Sequence, residues 1–213
     1  MSRFDLIIWD CDGVLIDSER LAVRTESQIL NELGWPLSEA DVIERFVGRS
    51  SHYMQTVVEE HIGRPVDWRD EFERRVREVS ERELVPVTGV VAALDAITIP
   101  GCVASSSSHT MLDFKLGLTG LADRFAGRIF SADDVAHAKP DPAVFLFAAA
   151  SMGVPPDRCA VIEDSVFGVE AGQGAGMSVF AFSGGVTSAA KLARESVVLF
   201  DSMHLLPELL TRP

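Results

Sequence analysis

An apolar run, Phe4 to Trp9, ends in Asp10-Cys11-Asp12-Gly13, and this junction constrains the chain more than any other stretch. A short apolar run closed by a turn signal reads as a buried strand. Alternate residues of an extended chain share a face, so Asp10 and Asp12 lie side by side at the strand's carboxyl end. Cys11, between them, points away into packing. Two carboxylates that close repel and raise a pKa unless a cation sits between them. Gly13 then allows a sharp turn or the close approach of a ligand. A lone Asp-x-Asp-Gly equally fits an acidic turn, so the remaining chain has to supply matching parts.

Beyond the junction the pattern is helical for some seventy residues. Leu21, Ile29, Leu30 and Leu33 fall on helical spacing up to Gly34, and helices are expected over 38–47, 50–62 and 68–84. From Pro86 short strands alternate with helices: Cys102 to Ser105, Ile129 to Phe130, Cys159 to Ile162, Ser178 to Phe182 and Val197 to Phe200 are the strand candidates. Such alternation implies an α/β fold, a Rossmann-like parallel sheet with helices on both faces and ligands at the carboxyl strand ends. The first strand belongs to that sheet. We therefore expect an α/β core of residues 1–16 and 87–213, interrupted by an inserted α-helical domain over 17–86.

Three more of the expected strand ends carry chemistry-bearing residues. Ser105 closes Cys102-Val103-Ala104, Lys139 stands in Ala138-Lys139-Pro140-Asp141-Pro142, and Glu163-Asp164-Ser165 follows the strand Cys159 to Ile162. Singly these fit a turn serine, a solvated lysine and an acidic helix cap. Together they bring four carboxylates, an ammonium and a hydroxyl to one edge of one sheet. A hard cation such as Mg²⁺ takes oxygen ligands and would reconcile the carboxylates, while Lys139 and Ser105 could hold phosphoryl oxygens.

On these residues the sequence resembles the haloacid dehalogenase superfamily, in its sugar-phosphate phosphatase and β-phosphoglucomutase branch. The similarity is carried by Asp10 to Glu19, Ser105, Lys139-Pro140-Asp141-Pro142 and Glu163 to Val169, in family order. It is greatest to the 6-phosphogluconate phosphatase-like members, with Ser2-Arg3 and Thr98-Ile99-Pro100 included. The resemblance implies a Mg²⁺-dependent phosphomonoester hydrolase working through an aspartyl-phosphate, with the helical insert as a cap that closes over the site. Asp10 would be the nucleophile and Asp12 the general acid and base. The metal would be held by Asp10, Asp164, the backbone carbonyl of Asp12 and a contribution from Glu163. Lys139 and Ser105 would balance and hold the phosphoryl group, with backbone donors near Gly13 and Ser106. On the insert, Arg45, Arg49 and His52 flank Gly48 and would meet a second anionic group of the substrate.

Two rivals stand beside this reading. The mutase type carries a histidine about ten residues after the acid/base aspartate, where this chain has Ala22. A non-catalytic binding protein on the same fold is the other.

Composition narrows the partners. Thirty-two acidic residues against 19 basic ones give a net charge of −13, which disfavours nucleic acid or an anionic membrane surface and leaves a small phosphorylated molecule as the expected partner. Cys11, Cys102 and Cys159 are widely spaced and read as buried apolar residues, not a disulfide framework. With no long apolar run, a cytoplasmic protein is expected, and a monomer is compatible with the sequence.

Overall fold

The computed structural model describes residues 3–47 and 51–211. The six strands are β1 (Leu6–Trp9), β2 (Gly101–Ser105), β3 (Ile129–Ser131), β4 (Cys159–Glu163), β5 (Ser178–Phe182) and β6 (Val197–Phe200). They form one parallel sheet in the order β3-β2-β1-β4-β5-β6. All six lie where the apolar runs predict them. The expected α/β class is therefore the observed one.

β1 sits between β2 and β4, with Trp9 level with Val103 on one side and Ile162 on the other. Leu6 to Trp9 are buried throughout, as strands covered on both faces must be. The order brings the carboxyl ends of β1, β2 and β4 side by side, where the chain reverses its direction of travel across the sheet. Open parallel sheets place their ligands at such a reversal.

The chain divides into two compact units. One contains residues up to Asp17 and from Val85 onward, and the other is Ser18–Leu84. In the first unit, helices α5 (Val90–Ala96), α6 (His109–Leu118), α7 (Ala143–Ser151) and α8 (Val166–Gly174) alternate with the strands, followed by the short α9 (Ala189–Leu192) and α10 (Leu206–Leu209). Apolar side chains of α7 and α8 (Phe145, Ala148, Val169, Ala171) form one core with Leu6, Ile8, Val161 and Val179 of the sheet. The two strand-like crossings that lead out of this unit and back are tied together. Asp17 N–H donates to Val85 O and Val87 N–H to Leu15 O, each at 3.0 Å.

The second unit consists of α1 (Ser18–Glu32), α2 (Glu39–Phe46), α3 (Ser51–Ile62) and α4 (Arg69–Glu83). Its core gathers Leu30, Trp35, Val42, Phe46, Met54, Val58 and Trp68. Ser38 caps α2 in a reciprocal box with Asp41. No described helix is long and apolar enough to cross a membrane.

Candidate active site

The strand ends converge as the alternation predicts. Asp10, one residue past β1, is tied down by its own N–H, which donates to Ile162 O at 2.9 Å. Its Oδ1 accepts from Lys139 Nζ at 2.6 Å. Among the described residues its Oδ2 accepts no hydrogen bond. Lys139 reaches in from the loop between β3 and α7; its side chain is only 4 % exposed and also donates to Glu163 Oε1 at 2.7 Å and Ala104 O at 3.2 Å. The ammonium lies 4.5 Å from the centre of the Phe145 ring. A buried ammonium with three acceptors and an aromatic face is well compensated.

Two carboxylates share that one ammonium, and the electrostatics follow. Burial pushes the Asp10 carboxyl up to about 7; Lys139 opposes the rise, and Glu163 and Asp12 add to it. Burial alone would lower the Lys139 pKa, but Asp10 and Glu163 hold it above the ordinary lysine value. The cluster is thus short of positive charge.

Glu163 is fixed from both ends. Its Oε2 accepts from Asp164 N–H at 2.9 Å, Ser165 N–H at 2.8 Å and Ser165 Oγ at 2.9 Å. Ser165 Oγ in turn caps α8 by accepting from Gly168 N–H at 3.0 Å. Gly168, in the first turn of α8, makes room for that carboxylate. A Cβ there would fall 1.7 Å from Glu163 Oε1, so only glycine leaves space for the carboxylate. Gly172, one turn on, marks close packing of the helix on the sheet: its Cβ would meet Val179 at 2.8 Å. Gly13 has φ +76°, and a Cβ there would fall 2.0 Å from Asp164 Oδ2. That glycine is required both by its backbone and by the acid above it.

Oxygens of Asp10, Glu163 and Asp164 all lie within 4.8 Å of one another, each residue buried. An all-oxygen donor set of clustered carboxylates, one with a raised pKa, suits a hard divalent cation. The residues present therefore fit Mg²⁺.

Ser105 is buried at the end of β2, level with Ser131. Its Oγ accepts from Ser107 N–H at 3.1 Å and, among the described residues, donates to no acceptor. Ser106 is exposed. Gly13 N–H donates to Ile16 O at 2.8 Å, within the tight turn that follows the strand end.

Asp12 shows what the sequence reading missed. Its Oδ1 accepts from Lys115 Nζ at 2.6 Å and its Oδ2 from Ser107 Oγ at 2.8 Å. Both partners lie about a hundred residues away, on α6 and the loop before it. A sparse signal existed: the chain holds only three lysines, and two of them are in this cluster.

The model of the haloacid dehalogenase-like hydrolase family matches residues 4–176, most of the chain and all of this cluster. The chain belongs to that family. Among the relatives of this hydrolase, the 6-phosphogluconate phosphatase of Escherichia coli (strain K12) is 31% identical over 212 residues, covering 98% of this chain and 96% of that protein. A conserved haloacid dehalogenase-like protein of unknown function from Agrobacterium tumefaciens str. C58 has a solved structure at TM-score 0.90 and 38% identity, covering 97% of each chain. A family hydrolase from Deinococcus radiodurans R1, solved with bound phosphate and sodium, aligns at TM-score 0.79 and 27% identity over the full length of both chains.

The three insert residues of this hydrolase fall in the helical unit. The Arg45 guanidinium lies 5.8 Å from the ring centre of Trp35, which also stacks on His61 at 4.0 Å. His52 is exposed near the start of α3, and its carbonyl accepts from Thr56 Oγ1 at 3.0 Å. Arg49 lies outside the described residues.

Proposed function

We propose that this hydrolase is a Mg²⁺-dependent phosphomonoester hydrolase that acts on a small phosphorylated metabolite, a sugar phosphate or sugar-acid phosphate. The observation that carries the reading is the pair of unlike oxygens on Asp10: Oδ1 held by Lys139, Oδ2 without a donor among the described residues. A buried carboxylate oriented through one oxygen and open at the other is a nucleophile in waiting.

Asp10 Oδ2 attacks phosphorus and the ester oxygen departs, taking a proton from Asp12. Asp12, now ionised, accepts a proton from water, whose oxygen attacks the aspartyl-phosphate, releases inorganic phosphate and restores Asp10. Lys139 balances charge on Asp10 and on the transferring group, and the Ser105 hydroxyl donates to a phosphoryl oxygen. Ser106 is assigned a backbone donor role on its place beside Ser105. Asp10, Asp164 and the Asp12 carbonyl would hold Mg²⁺. When bound, the metal supplies positive charge that lets an anion approach an anion. Glu163 holds Lys139 and the Asp164 turn, and a contribution from it to the metal is kept, one of its oxygens lying within 4.8 Å of those of Asp10 and Asp164.

The substrate class is supported by the name of the full-length relative from Escherichia coli. On the sequence pattern, Arg45, Arg49 and His52 of the helical unit, read as the cap, are kept as contacts for a second anionic group. The test is phosphate release in Mg²⁺ across sugar phosphates, sugar-acid phosphates and nucleotides, run beside glucose 1-phosphate isomerisation. Release from a sugar or sugar-acid phosphate that chelator abolishes and Mg²⁺ restores is expected. Isomerisation without release would give the chain to the mutase type instead, and binding without turnover of any ester would mark a non-catalytic protein.

A further inference from the structure

Lys115 has no duty in the mechanism above, yet its ammonium is among the least exposed charges of the chain: its side chain is 11% exposed and lies 2.6 Å from Asp12 Oδ1. It reaches the site because helix side chains lean toward the amino end, and α6 begins immediately beyond the end of β2. Lys115 therefore points back along its helix to the carboxyl edge of the sheet. The other oxygen of Asp12 is met by Ser107, which sits in the loop before α6 and is itself held from two sides. Ser107 N–H donates to Ser105 Oγ at 3.1 Å and Ser107 O accepts from Ser131 Oγ at 2.8 Å. Lys115 Nζ also lies 3.4 Å from Ser107 Oγ.

The two partners differ in kind. An ammonium only donates, so Lys115 always meets Oδ1 as a donor. A hydroxyl is a rotor that donates or accepts, so Ser107 can release Oδ2 and accept from Lys115 in exchange. We propose that Lys115 is the positioning residue of Asp12: it fixes the carboxylate through Oδ1 and leaves Oδ2, with Ser107 as its exchangeable partner, as the oxygen that gives and takes the proton. This rests on the assignment of Asp12 as acid and base.

A group acting through a general acid affects poor leaving groups more than good ones, because an aryl oxide departs without a proton. In Lys115→Met, kcat/KM for the best alkyl phosphate of the screen is expected to fall about 10- to 100-fold, with KM within about threefold. For p-nitrophenyl phosphate the fall is expected to stay under about threefold. An equal fall for both esters, or none for either, would overturn the proposal. Lys115→Gln, which keeps a neutral donor, is expected to show the same dependence at smaller size and serves if the methionine variant does not fold.

A crystal structure of the variant decides the point without turnover. Rotation of the Asp12 carboxylate away from its place beside Ser107 is expected; a carboxylate that stays in place sinks the idea. If the native enzyme releases phosphate from no ester, the functional reading fails, and this crystallographic result still decides the role of Lys115.

Discussion

Both units pair acids with bases at closely similar distances, yet the pairs serve opposite ends. In the helical unit Arg24 meets Glu83 at 2.6 Å and Arg75 meets Glu32 at 2.7 Å, linking α4 to α1 with side chains 27–57% exposed. In the α/β unit Lys139 meets Asp10 at 2.6 Å and Glu163 at 2.7 Å with every partner nearly or fully buried. Water screens the first set, so each exposed pair adds little. The second set cannot exchange its partners for water, so position and charge are fixed before a substrate arrives. Distance alone does not tell a structural ion pair from a reactive one; burial and an unequal count of acids and bases do.

The comparison breaks first at Asp10. Asp10→Asn is expected to reduce turnover to background, and residual phosphate release near the native rate would remove it as nucleophile. The same variant has a stability signature of the opposite sign. The folded Asp10 pKa is raised, from an ordinary 3.8 to about 7, because of burial first of all. The folded protein therefore holds a proton that the unfolded chain releases, and stability from this group falls as pH rises from about 4 through 7. Without metal, Asp10→Asn is expected to melt above the native protein at pH 8 and to lose that advantage by pH 4. A difference independent of pH would show that Asp10 is not strained by its burial.

Gly168→Ala is next, since it disturbs the buried set without removing any charge. The new methyl would occupy the Glu163 carboxylate, which is held by Lys139, two backbone N–H groups and Ser165, so the carboxylate must leave its partners. Overpacking of this kind costs about 1–3 kcal/mol, and loss of Lys139 alignment is expected to lower kcat by about 10-fold or more. Gly172→Ala, whose methyl would press on Val179 and touch Val161, both apolar, is the control: a similar loss of stability with kcat within about threefold. Equal losses of kcat in the two variants would leave Gly168 a packing glycine.

These glycines show how far the sequence carries. Asp10, Asp12, Ser105, Lys139, Glu163 and Asp164 are legible because each stands beside an apolar strand or a proline turn, and a parallel sheet brings such ends together. What the side chains do to one another was not. Glu163 accepts from Lys139 and from the N–H groups of Asp164 and Ser165, contacts that only the folded turn shows. Lys115 stands in mid-helix beside no motif, and only the packing of α6 aims it at a residue 103 positions away. The Arg45 guanidinium lies over Trp35, a contact between residues ten apart that the sequence does not show.

The helical unit holds one group that behaves like the buried set. Burial, and Glu19 two turns back along α1, push the Glu26 carboxyl up to about 7. Its folded pKa is raised, so its contribution falls as pH rises from about 4.5 through 7. Glu26→Gln is expected to raise the unfolding midpoint by a few degrees at pH 8, on the order of 2 °C, and to leave it unchanged at pH 4.5. A gain of equal size at both pH values would point to the amide's packing rather than to the charge.

The smallest effect is expected where the ion pairs are most numerous. Arg74 meets Glu71 and Glu78, and Glu71 also accepts from Arg75, all on the open face of α4. These bonds draw the Glu71 carboxyl down to about 2, which would suggest a strong contribution were the groups not in water. Solvent screening and the cost of ordering long side chains offset the attraction. Arg74→Ala should therefore leave the unfolding midpoint at pH 7 within error, in 20 mM as in 500 mM salt. A drop that appears only at low salt would show that the Arg74, Arg75, Glu71 and Glu78 group acts as a network. In that case exposure alone would no longer separate the two units, and the unequal count of charges at the strand ends would be the distinction that remains.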